Sequence, residues 1–332
     1  MVELARWLFL YNARMRLVLS HRTALETCSR IAASGEKVAR ACRVRSLREC
    51  ASAARDVAAF DLSGLQVDPE SKIHILVPNA GRRFASKNYA RHAWTGPLPD
   101  GSLYQVSDGV YITSPEFSLL LLSKSLPFDA LVLLCDEVCG GYALDATERG
   151  FYDRPALSSV SKVGAFLGKV GSASGTSKLR RALRYAVDNA RSPMEASLAA
   201  FMAFPTRCGG CGLPKPLMNH RFVLPEEAVR MAGRAYVEFD LFFPEAGVVV
   251  EYDSTRFHAA EERLESDSRR NNVLRWLGFK VVNITRNQVR DPVVFAGVTA
   301  QLAKALGKTG GVSQATLDKR KELRSSLFPF GD

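Results

Sequence analysis

Residues 238–253, EFDLFFPEAGVVVEYD, constrain this chain more than any other segment. From Tyr236 to Phe243 the residues alternate so that Glu238, Asp240 and Phe242 fall on one face of a strand. From Gly247 to Asp253 the same period puts Val249, Glu251 and Asp253 together. Pro244, Glu245, Ala246 and Gly247 make a natural four-residue connection, which pairs Phe243 with Val248 and sets Asp240 opposite Glu251. Opposed residues hold their Cβ atoms about 5 Å apart. Two carboxylates at that separation destabilise a sheet unless something neutralises them, and their oxygens suit Mg2+ or Mn2+. The expected metal ligands are therefore Asp240, Glu251 and, one pleat further along, Asp253.

What flanks the hairpin extends the pattern. His258 follows Asp253, and AEERLESDSRRNNVLRWL then has helical spacing, with Leu264, Asp267, Arg270, Asn271, Leu274 and Leu277 on one stripe. Gly278 is placed to end that helix, and FKVVNIT reads as a strand. A strand, helix, strand order implies a right-handed crossover that lays a parallel strand beside the acidic one. Upstream, Ser192-Pro193-Met194-Glu195 opens another helix. An α/β core follows from this order of elements.

Residues 192–291 resemble the PD-(D/E)XK nuclease superfamily, in particular its very-short-patch-repair-like endonuclease domains. The matching positions are Glu195, Asp240, Val250-Glu251-Tyr252-Asp253, His258 and Asp267-x-x-Arg270. The resemblance implies a restriction-endonuclease-like core of helix, β-hairpin, helix and strand, with a mixed sheet flanked by helices. It also implies Mg2+-dependent hydrolysis of phosphodiester bonds in DNA, with Glu195, Asp240, Glu251, Asp253 and His258 as catalytic candidates. Two positions depart from the pattern. Ser254 replaces the usual Gly, and Asp253 stands where the broader superfamily has a Lys, which leaves that Lys's part in water activation unassigned.

Each candidate has a plainer reading. Glu195, three residues after Ser192, completes a capping box. Asp240 and Glu251 could be solvated strand residues, although their strongly apolar neighbours argue otherwise. His258 could be an ordinary surface His, and Asp267 with Arg270 an i,i+3 helical ion pair.

Charge bears on the partner. The formal net charge is +11, which favours a polyanion. Lys178, Arg180, Arg181 and Arg184 cluster on an expected helix just before the core, and with Arg270 and Asn271 they are the candidate phosphate contacts. Basic helices are also commonly just solvated faces. No run of about 18 apolar residues indicates a membrane span, and residues 5–19, interrupted by Asn12, Arg14 and Arg16, lack a secretory pattern, so a cytoplasmic location is expected. Seven scattered cysteines argue against a disulfide framework. Cys208-Gly-Gly-Cys211 supplies only half of a zinc site and reads as a glycine-rich turn with reduced thiols.

Five regions are expected. Residues 1–65 are mostly helical and admit a winged helix; 66–150 are α+β; 151–191 are a linker and basic helix; 192–308 are nuclease-like; 309–332 form a basic tail. Residues 21–142 bear a weaker resemblance to AbiE-type antitoxin and regulator domains, carried by the Ser-His start, a Val-Pro strand end, Arg82-Arg83, His92, a hairpin at Asp108-Gly109 and the Thr-Ser-Pro start of an apolar helix. That resemblance implies a DNA-sensing or protein-regulating module. The leading expectation is thus a Mg2+-dependent endonuclease, acting as a homodimer or with a cognate partner protein. The alternatives are a non-catalytic DNA-binding or antitoxin-like regulator that keeps the nuclease fold, and an interaction module whose hairpin binds a structural ion.

Overall fold

The structure is a computed structural model that describes residues 15–36, 41–42, 44, 46–65, 72–79, 86–253, 261–308 and 313–328, without the side chains of 41, 42, 54 and 261–268. The protein is mixed α/β. It divides into two compact units: residues 1–131 with 153–183, and residues 132–152 with 184–332.

The first unit is built on a six-stranded sheet, β2-β5-β6-β1-β3-β4. Its strands are β1 (Leu17–Leu19), β2 (Ala41–Cys42), β3 (Ile73–Val77), β4 (Tyr89–Ala93), β5 (Leu103–Ser107) and β6 (Val110–Thr113). The central β1 is buried throughout and runs parallel to β6 and antiparallel to β3, as suits an unbroken apolar triplet. The sequence pattern alone does not expose β1, because three residues are too few to show a period. β5 and β6 form the expected hairpin about Gly109, whose φ of +68° suits the turn. Helix α1 (His21–Ala33), the short α2 (Ala54–Val57) and α3 (Pro115–Leu122) follow. Leu17, Leu19, Ala24, Cys28, Ile75 and Ile112 share the core. Ser114 caps α3 by accepting the Phe117 N–H at 3.3 Å. Helix α4 (Phe128–Cys139) carries the division between the units, and β7 (Tyr142–Leu144) pairs with β8 (Phe151–Asp153). Helices α5 (Val160–Val170) and α6 (Thr176–Ala182) complete the first unit.

The second unit opens its main core with α7 (Pro193–Ala203), apolar and buried almost all round. Its four-stranded sheet runs β12-β11-β10-β9. The strands are β9 (Leu217–Val223), β10 (Tyr236–Phe243), β11 (Val248–Asp253) and β12 (Lys280–Thr285), with α8 (Glu226–Ala232) between β9 and β10 and α9 (Glu261–Trp276) between β11 and β12. The expected hairpin is present: β10 and β11 are antiparallel and Phe243 pairs with Val248. The parallel β12 lies beside β11. Gly278 ends α9 at φ +82°, with the Gly278 N–H on the Arg275 carbonyl and the Phe279 N–H on the Leu274 carbonyl. Val273 and Leu274 pack α9 onto Val237, Phe239, Phe242 and Val249. Helices α10 (Arg286–Arg290), α11 (Pro292–Ala305) and α12 (Gln314–Leu327) finish the chain.

Within the expected basic tail, residues 314–327 form helix α12. Leu323, Leu327 and Phe328 of α12 and its end are buried, and Phe328 packs its ring against Phe201 and Phe295. Apolar burial every third or fourth residue converts a charged segment into a packed helix. Among the described residues no helix is long and apolar enough to cross a membrane.

Candidate functional site

The acidic site sits where a ladder breaks. β10 pairs with β11 from Phe243–Val248 to Leu241–Val250, and with β9 at Leu241–Met218 and Phe239–His220, so Asp240 lies outside both runs of pairing. On the β9 side its missing partner is Asn219, which has φ +46°. The break alters the simple alternation: Phe239 and Phe242, expected on opposite faces, belong to one cluster with ring centroids 5.1 Å apart. Asp240 replaces the lost strand bond with its side chain, as its Oδ2 accepts the Tyr252 N–H at 2.8 Å. The Asp240 N–H in turn hydrogen-bonds the Glu251 carboxylate. Asp240 and Glu251 thus tie the two strands together by a reciprocal exchange of backbone donors and carboxylates.

Arg270 of α9 supplies the local positive charge. Its Nη2 donates to Glu251 Oε1 at 2.5 Å and to the Glu238 carbonyl at 2.6 Å, and both side chains of the ion pair are only 17% exposed. Burial nevertheless pushes Glu251 up to about 7, with the charge of Asp240 adding to the rise and Arg270 holding it down. Burial likewise raises Asp240, against the Tyr252 N–H and the guanidiniums of Arg270 and Arg191. Removing either charge of such a pair costs about 3–5 kcal/mol when fully buried.

Glu195 lies at the start of α7 and is saturated with donors. Its Oε2 accepts the Arg191 N–H at 3.0 Å and Asn219 Nδ2 at 2.7 Å, while Oε1 accepts the Ser192 hydroxyl at 2.8 Å. The Glu195 N–H is capped by Ser192 Oγ. This is a variant of the capping box that also reaches β9 through Asn219. Burial raises the Glu195 carboxyl, and nearby Asp240 contributes to the rise. Arg191 completes the surroundings through an ion pair with Glu238 at 2.6 Å, which holds Glu238 below its usual range.

The remaining expected site residues divide. Asp253 is exposed at the end of β11, paired in register with Thr285. Asp240, Glu251 and Asp253 do not bring three ligand oxygens within 4.8 Å of one another; among the described residues only His21, His74 and His92 meet that spacing. Asn271 is half-buried on α9 beside Arg270. His258, Arg82 and Arg83, and the side chain of Asp267, lie outside the described residues.

The basic helix is shorter than expected. α6 ends at Ala182, and Arg184 falls in the turn that follows. Further along, Asp136 Oδ1 accepts the Val187 N–H at 2.7 Å and Lys215 donates to the Ala186 carbonyl at 2.8 Å. Three of the four cations turn their charge to the fold. Lys178 donates to the Leu126 carbonyl, Arg180 to the Leu167 carbonyl at 3.0 Å, and Arg181 lies 4.6 Å over the Phe128 ring. Cys208-Gly-Gly-Cys211 is a packing turn: a Cβ on Gly209 would lie 2.4 Å from the Lys319 carbonyl oxygen, and one on Gly210 2.1 Å from that of Phe204.

The first unit holds a cluster that sequence spacing does not suggest. His74 Nδ1 and His92 Nε2 are 2.8 Å apart, and the His21 and His92 rings stack at 3.6 Å. His74 lies on β3, His92 on the adjacent parallel β4, and His21 begins α1. The one available signal is compositional, since the chain has five His and three of them meet here.

Comparisons with family profiles, curated proteins and solved structures returned no match. No family is assigned on that basis.

Proposed function

We propose that residues 192–308 form a metal-dependent phosphodiesterase site that cleaves DNA. The observation that carries this reading is the Asp240–Glu251 pair, two largely buried carboxylates on adjoining strands whose ionisation is opposed by burial. A dication relieves that opposition, and Mg2+ needs only one or two protein carboxylates besides its waters and a phosphate. Asp240 and Glu251 would hold the ion; Asp253, exposed, would reach it only through water. Bound there, Mg2+ or Mn2+ would lower the pKa of a coordinated water and offset charge on the scissile phosphate.

The protein's own groups supply the rest. The Tyr252 N–H fixes Asp240, so that carboxylate is preorganised. Arg270 sits where its guanidinium can exchange Glu251 for a phosphate oxygen, a partner of equal bidentate capacity. Glu195, with both oxygens occupied, acts as a positioning residue that ties α7 to β9.

A second reading is favoured by the Arg270–Glu251 contact. A guanidinium 2.5 Å from Glu251 neutralises that carboxylate without any ion, as a nuclease-like fold that only binds DNA or a partner protein would require. Plasmid nicking in Mg2+ or Mn2+, with an Asp240→Asn control, separates the two. Cleavage that disappears in the variant supports the phosphodiesterase. Salt-sensitive duplex binding without cleavage supports the regulator. Neither cleavage nor binding removes both.

A further inference from the structure

We propose that His21, His74 and His92 bind one transition-metal ion of the zinc class through three imidazoles, with a fourth position open to water or an anion. Their ligand nitrogens already lie within 4.8 Å of one another. Tetrahedral Zn–N bonds of about 2.0–2.1 Å place neighbouring nitrogens about 3.3 Å apart, so an entering ion replaces the proton of the 2.8 Å His74 Nδ1–His92 Nε2 hydrogen bond and opens that pair by about 0.5 Å.

The local backbone is arranged around His21 in a way that helix formation does not explain. Ser20 is the N-cap residue of α1, yet its hydroxyl caps no N–H and instead bonds His21 Nδ1 at 2.9 Å. This leaves Nε2 as the nitrogen free for an ion and supplies the outer-shell partner that metal-bound His commonly has. His21 itself adopts φ +54°, in the left-handed region that non-glycine residues rarely enter. His74 is anchored by its backbone as well, its N–H on Thr23 Oγ1 at 3.0 Å and its carbonyl accepting the Ser20 N–H at 2.8 Å.

Burial and access suit the same role. His21 is buried while His74 and His92 are half-buried, which leaves the cluster reachable from solvent. The charged side chains acting on the rings are Lys124, on His21 and His92, and Arg22, on His74. Two cations beside a dication match a fourth ligand that carries negative charge, such as hydroxide or a small anion.

The test uses the full chain stripped with a chelator, in an Asp240→Asn, Glu251→Gln background that removes the acidic hairpin as a competing site. Zn2+ is titrated by calorimetry and Co2+ by visible absorption. The expected result is one ion per chain with a tetrahedral Co2+ spectrum. His74→Gln and His92→Gln should each weaken binding about 100-fold or more, and Ser20→Ala about 10-fold. Cys208→Ser should leave stoichiometry unchanged. Circular dichroism identifies any variant that fails to fold, and a Zn2+-dependent rise in the melting temperature of the unsubstituted His cluster provides an independent reading. No tight ion, or an ion that the folded Gln variants retain, overturns the proposal. Phosphate bound equally well without metal also overturns it, by making the cluster an anion site.

Discussion

Two clusters of titratable side chains are assembled here by different means. Asp240 and Glu251 meet because one hairpin register brings them together, and Phe243–Val248 pairing alone fixes that register. His21, His74 and His92 meet because a helix start and two parallel strands converge, and no local period connects them. The acidic pair carries its counter-charge within the fold, in Arg270, whereas the histidine cluster faces further cations. Charge compensation therefore separates the two clusters: the acidic pair is balanced by the guanidinium of Arg270, and the imidazoles are held by a hydrogen bond between His74 and His92.

The largest effect is expected at the acidic pair. Asp240→Asn should reduce Mg2+-dependent nicking by about 10³-fold, as removal of one preorganised electrostatic group does in other active sites. Unchanged cleavage would assign the activity elsewhere. Arg270→Met should lower unfolding free energy by about 3 kcal/mol in the absence of metal, because it strands Glu251, and Mn2+ should restore part of that loss. Denaturant melts with and without Mn2+ check this, and a loss that Mn2+ leaves untouched would make Arg270 purely structural.

Gly209→Ala should cost about 1–3 kcal/mol by forcing α12 away from the Cys208–Cys211 turn. Wild-type stability would instead mean that the turn opens freely. Asp136 sharpens the contrast with the compensated pair, since it is fully buried, raised by that burial, and its Oδ2 has no hydrogen-bond partner. A carboxyl whose folded pKa is raised favours the fold below the unfolded pKa of about 4 and loses that contribution as pH rises through the folded value. Asp136→Asn should therefore gain stability relative to wild type as pH rises above about 4. A gap constant above that pH in thermal melts would contradict the burial argument. The smallest effect is expected at α6: Arg181→Ala should leave the salt slope of duplex binding unchanged, because Arg181 stacks on Phe128. A slope reduced by about 0.9 would restore it as a phosphate contact.

What could be read from the sequence follows the same division. The hairpin register, the parallel β12 and the Gly278 helix end are local consequences of period and turn chemistry, and all three are present. The backbone bonds at Ala186 and Val187 and the packing of α12 involve distant partners such as Asp136, Lys215 and the Gly209 carbonyl, which no window of sequence contains. At the site, the nearness of Asp240 and Glu251 is legible in the hairpin pattern, whereas the break in the ladder at Asp240, the φ of Asn219 and the approach of Arg270 to Glu251 require the fold.

The central claim is that Asp240 and Glu251 share a divalent ion and that Arg270 gives way to it. Anomalous scattering from crystals soaked in Mn2+ tests this directly. The account predicts one Mn2+ in contact with both carboxylates and the Arg270 guanidinium moved off Glu251 Oε1. Crystals in which Mn2+ is absent from the hairpin and Arg270 remains on Glu251 would contradict it.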